Sequence, residues 1–165
     1  MPNSQFERIF QERHERAERY SGLLPETDDV TLTVLKGHLV VEELLYAIAE
    51  EHLENPQYLS KARLSFAQLL YVVRALNFIP LPEEAWQGMV ELNALRNALA
   101  HKLQPKDVTE RLERLYSLCV IGQEPLPADY KKPDQLAPLA AECIHSLMGA
   151  LSIVSGMAAV LRQGQ

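Results

Sequence analysis

Apolar side chains recur at every third or fourth position along most of this chain, and no strand alternation longer than the five residues "VTLTV" runs through it. That period can be buried on one face of a helix but not on one face of a strand. Residues 30–53 carry it most densely, with Val34, Leu35, His38, Leu39, Val41, Leu45, Ile48 and Leu53 at helical spacing. No Asn-Gly or Asp-Gly hairpin signal occurs. The expected fold is therefore all-α: an up-and-down bundle of five to six helices in one domain spanning residues 1–165.

Proline and the polar caps divide the pattern. A charged N-terminal helix is expected over about residues 4–20, with Phe6, Ile9, Phe10 and Ala17 as a thin apolar stripe, followed by the connector "SGLLPETDD". "ENPQY" ends the second helix, and a third is expected from Ser60, as N-cap, to Asn77. After "FIPLP", a fourth helix covers about 82–103, with Pro82 in its first turn, and Pro105 stops it. A fifth covers about 106–120, starting near Asp107 or Thr109. The bundle core thus falls within residues 30–121, a Pro-rich loop within 122–135 and a C-terminal helix within 136–161. The segment "GQEPLPADYKKPDQLAP", residues 122–138, holds four of the ten prolines and the cluster Tyr130-Lys131-Lys132, and reads equally well as functional or as a connector. The last helix is rich in Ala, Ser and Gly, which allow close approach within the domain or against a second subunit.

Composition narrows the function classes. With a net charge of -6, the chain has no global basic footprint for non-specific nucleic-acid binding, though a small phosphate site remains compatible with it. No apolar run is read as reaching the roughly 18 residues that cross a bilayer, so no membrane partner and a cytoplasmic location are expected. Cys119 and Cys143 have neither metal-ligand nor disulfide-framework spacing. They read as buried small hydrophobes, and no metal or cofactor is expected.

The most informative stretch is "LRNALAHKL", residues 95–103. On a wheel of about 100° per residue, Ala85, Met89, Leu92, Leu95, Leu99 and Leu103 form the core face, and Glu84, Gln87, Glu91 and Lys102 the solvent face. A third sector holds Trp86, Val90, Ala94, Asn97 and His101, half apolar and half polar. That mixture suits a cleft or a subunit contact better than open water. Arg96 borders the core. A partner carboxylate is expected from Glu42 or Glu43 on the second helix, Glu42 lying nearer the apolar side. By spacing alone, the set reads first as an arginine paired at a core edge and a histidine placed at a helix C-terminus by the helix dipole.

Arg96-Asn97-x-x-x-His101 resembles the signature of the HEPN superfamily, and it stands near the end of a late helix, as in that family. The resemblance implies a homodimer with the motifs of both subunits meeting at the interface, and a metal-independent RNase acting on RNA, as a toxin or defence component. It implies that Arg96 holds the phosphate, Asn97 orients the histidine or the phosphate, and His101 is the acid/base, with Glu42, Glu43 and Lys102 in support. In one toxin branch a tyrosine two residues after the histidine receives an antitoxin's nucleotidyl transfer; Leu103 occupies that position here. The stretch "LSKARLSFAQLLYVVRALNFIPLPEEAWQGMVELNALRNALAH", with "VLKGHLVVEELL" before it, also resembles the mannitol operon repressor family. That likeness implies a helical regulator without catalysis. A third reading, an immunity-type binder of a partner protein, places function in the Pro-rich loop and leaves His101 structural; a cognate antitoxin or a regulatory protein is the partner expected across these readings.

Overall fold

Asp29 starts the described bundle. Its carboxylate accepts the otherwise unpaired amides of Thr31 at 2.8 Å and Leu32 at 3.1 Å, capping helix α1, Val30–His52. The computed structural model describes residues 18–76, 81–101, 105–119 and 125–163, together with Glu7, Gln11 and Glu15, with side chains as far as Ser155. Four further helices follow: α2 (Phe66–Leu76), α3 (Glu83–His101), α4 (Val108–Cys119) and α5 (Pro133–Gln163). No strand occurs among the described residues, and the all-α bundle is as expected. Residues 18–21 are helical, and most of the expected N-terminal helix, including Phe6, Ile9, Phe10 and Ala17, lies outside the described residues.

The expected start of the third helix is displaced. Ser60 opens a short 3₁₀ turn, Ser60–Ala62, which ends at Arg63 in the left-handed conformation, φ 50°. The true cap is Ser65. Its hydroxyl accepts the Gln68 amide, and the Gln68 side chain reaches back to the Ser65 amide at 2.9 Å. This reciprocal Ser-x-x-Gln box satisfies two donors at once, which Ser60 has no partner to do.

The longest packing seam joins α1 to α5. Gly37 meets Ile144 near one end and Glu51 accepts from Ser155 at 3.1 Å near the other, so the two helices run in the same direction. Val34, Val41, Leu45 and Ile48 of α1 and Ala140, Ile144, Leu147 and Leu151 of α5 are almost completely buried in this seam and the core it continues into. α3 and α4 close the other side. Gly88 lets α3 approach Leu147 of α5 and Cys119 of α4, where an added Cβ would stand 3.1–3.2 Å from their side chains. Cys119 and Cys143 are free and buried, as expected. The neighbouring Cys119 and burial push the Cys143 thiol up, away from reactive thiolate.

One reading of the sequence is corrected here. α5 is long and apolar enough, over Pro133–Ser155, to cross a membrane by length and composition. Its small residues and scattered Ser hide that hydropathy from a search for an unbroken apolar run. Half of that segment is buried inside the bundle, as in the core helix of a globular domain.

The seam yields a first prediction. A Cβ at Gly37 would lie 2.3 Å from Ile144 Cδ1 and 2.9 Å from Cγ1. Gly37→Ala is expected to destabilise by about 1–3 kcal/mol in urea denaturation, although alanine favours helix. Adding Ile144→Val should recover part of the loss. A more stable single variant would mean that the seam is not this tight.

Candidate functional site

α3 carries the motif, and its local sequence explains its span. Glu83 and Glu84 suit the positive N-terminus, and His101 stands in the last turn, where a cation is favoured. The core face is as expected for Ala85, Met89, Leu92 and Leu95, all buried; Leu99 is half-buried, and Leu103 lies outside the described residues.

The other two sectors need correction. Glu91, assigned to solvent, is buried to 9% exposure. It is covered by two arginines of α4: Arg111 Nη1 lies 3.0 Å from Oε1 and Arg114 Nη1 3.7 Å from Oε2. Arg111 in turn binds Asp107 at 2.7 Å, and that bond is the main reason its guanidinium is held further above its usual range. A wheel of one helix cannot register a cation supplied by its neighbour. Trp86, placed in the half-apolar sector, is 5% exposed and belongs to the chain's own core, so it is not free for a second subunit. Val90 remains 53% exposed; Ala94 and Asn97 are half-buried, and His101 is exposed.

Arg96 is half-buried, and Nη1 donates to Asn97 Oδ1 at 2.9 Å. Neither Glu42, half-buried, nor Glu43, exposed, makes an ion pair or hydrogen bond among the described residues, so the expected pairing with Arg96 is not formed. Arg96 meets a neutral amide instead, and no carboxylate of the described residues neutralises it. His101, one turn beyond Asn97, makes no hydrogen bond or ion pair among them either. Lys102 lies outside the described residues. The structure thus places Arg96 and Asn97 in contact, His101 beside them in helical register, and Glu42 and Glu43 apart from them in bonding terms.

Spacing alone did not disclose the contact that seats this turn. His38 of α1 is 3% exposed, and Nε2–H donates to Asn93 Oδ1 at 3.1 Å, one turn before Asn97. Its ring lies 4.3 Å from that of Phe66, and its Nδ1 is buried with no hydrogen-bond partner among the described residues. The sequence offered only a histidine inside an apolar stripe, with nothing to pair it with Asn93. Groups of three or more metal-ligating side chains do not occur among the described residues.

The described part of the Pro-rich loop is anchored at residues 129–132. Tyr130 donates to Glu113 of α4, which also lies 3.5 Å from Lys131; Lys132 binds Asp129 at 3.2 Å. The tyrosine bond, with Lys131 adding, draws the Glu113 carboxyl below its usual range.

Comparison with protein-family models, with curated proteins and with solved structures finds no match for this chain.

The buried histidine gives the second prediction. Burial pulls His38 below its ordinary 6.5; the Asn93 bond opposes this, and the Arg96 charge adds to it. The unfolded chain therefore takes up this proton first as pH falls. The stability attached to neutral His38 is complete above about pH 6.5 and is lost as pH falls toward the lower folded value. Denaturation free energies measured from about pH 7 to about pH 5 should carry a slope of at most about 1.4 kcal/mol per pH unit from this residue. His38→Gln, which can still donate to Asn93, should flatten that slope; an unchanged slope would assign it to other groups.

Proposed function

We propose that the chain is a metal-independent endoribonuclease of the HEPN kind, a toxin or defence component of the cytoplasm, acting as a homodimer. The observation that carries this reading is Arg96: a half-buried guanidinium whose described partner is the Asn97 amide rather than a carboxylate, one turn from an exposed histidine. A guanidinium left charged and partly desolvated suits a phosphate, which it can bind through two donors.

The chemistry follows from those groups. A neutral His101 takes the proton of a ribose 2′-OH, whose oxygen attacks the adjacent phosphorus. Arg96 stabilises the charge that builds on the non-bridging oxygens, and Asn97 fixes the guanidinium. The 5′-oxygen leaves with a proton from a second, protonated imidazole, and a 2′,3′-cyclic phosphate remains. One chain supplies one such histidine at this turn. A two-fold axis near the end of α3 supplies the second, and so both acid and base. No hydrogen bond joins Arg96 to His101 within one chain, which is the specific observation favouring a non-catalytic regulator that resembles the mannitol operon repressors.

Incubation of purified protein with RNA separates the two. His101→Ala is expected to lower cleavage by about 10²–10⁴ with little change in melting temperature, since the side chain is exposed. Arg96→Ala should abolish cleavage and cost some stability, and Asn97→Ala should do less than either. Cleavage should persist in EDTA and leave cyclic phosphate ends. If the intact dimer cuts no RNA and His101→Ala alters only partner binding, the regulator reading takes its place.

A further inference from the structure

We propose that the groove between α2, α3 and α4 is a subsite for one nucleotide of single-stranded RNA, with its base against Tyr71 and Val90 and its phosphate on Arg114. This rests on the ribonuclease reading and extends it along the same face of α3.

The groove has a volume of about 320 Å³, with Trp86 and Leu118 in its lining. Tyr71 and Val90 on its rim are 67% and 53% exposed. Every base has a π-face, so an exposed tyrosine beside an apolar lining accepts any of them. Two exposed apolar side chains offer far less than the roughly 800 Å² per partner that a stable protein interface buries, but enough for one base.

The charges are unequally engaged. Arg74 stacks 5.7 Å from the Trp86 ring and is held by both oxygens of Glu83. Glu91 is claimed first by Arg111, at 3.0 Å, and reaches Arg114 only at 3.7 Å. Arg114 has a side chain 65% exposed, so most of its fork is open to an incoming anion. A phosphate oxygen pair fits that fork as a carboxylate does.

Register places the groove on the path to the motif. Asn97 and His101 follow Val90 by seven and eleven residues, close to two and three whole turns, so all three share one side of α3. Val90 and His101 are roughly 16 Å apart along the axis. An extended strand lying on α3 can therefore seat one base in the groove while presenting a 2′-OH to His101. Because stacking is tolerant of base identity, the subsite sets the position of cleavage more than its sequence.

Trp86 is the chain's single tryptophan and reports directly on the groove. The test titrates the full chain with a short 2′-O-methyl oligouridylate, which binds as RNA does but lacks the attacking hydroxyl. A saturable change in Trp86 emission is expected, lost under added salt. Tyr71→Ala should weaken binding by about tenfold to a hundredfold with melting unchanged, because its side chain is exposed, and Arg114→Gln should weaken binding comparably with circular dichroism unchanged and a small fall in melting temperature from its contact with Glu91. Absence of a saturable change overturns the proposal. So does a Tyr71→Ala variant that binds RNA normally but sediments as a smaller species, which would give the groove to a second copy of the chain. Cleavage of ordinary RNA is measured in parallel. Cleavage without groove binding overturns the subsite and spares the ribonuclease, whereas groove binding without cleavage keeps the subsite and removes the chemistry at His101.

Discussion

The rotation of α3 about its own axis decides what the candidate site can be, and two buried polar contacts set it. Asn93 accepts from His38 of α1, and Glu91 accepts from Arg111 of α4 with Arg114 nearby. Two residues apart on a helix point to nearly opposite sides, so α3 is clamped between its neighbours. With that rotation fixed, Leu92 and Leu95 must face the core and His101 must face out. Buried polar contacts of this kind add little net stability over a well-packed apolar pair, but losing one partner is costly, and here the cost enforces a single orientation.

The same clamp separates the arginines into two kinds. Arg74, Arg111 and Arg114 each lie within ion-pair distance of a carboxylate, so their charge is spent, wholly or partly, inside the fold. Arg96 is half-buried, as Arg111 is, but meets an amide. In a chain of net charge -6, the proposed site needs only local positive charge, supplied by Arg96 and by the open edge of Arg114. An acidic protein with a small anion site is consistent on these terms.

How much of this was legible depended on whether one helix sufficed to decide it. α1 was readable almost to the residue, because Asp29, the apolar period and the "ENPQY" break all lie within its own sequence. The core face of α3 was readable for the same reason. Glu91 and Trp86 were misplaced because their surroundings come from α4 and from α2, and a wheel gives a residue no neighbours beyond its own helix. Ser60 and Ser65 are equal as cap residues; the glutamine three places after Ser65 decided between them, and it was there to be read. Glu42 looked like the partner of Arg96 because both flank apolar stripes, but facing stripes do not fix which polar edges meet. Of the candidate site, the Arg96-Asn97-His101 register came from the chain alone, and its seating on His38 required the third dimension.

The central claim is that two copies of the motif turn come together to make one site. The most direct measurement is the distance between nitroxide labels attached at His101→Cys in the assembled protein, which the burial of Cys119 and Cys143 makes selective for the introduced thiol. Strong dipolar coupling between the two labels of a dimer, abolished by dilution with unlabelled chain, is the predicted result. A monomer in solution, or a dimer whose labels show no coupling, would contradict the account.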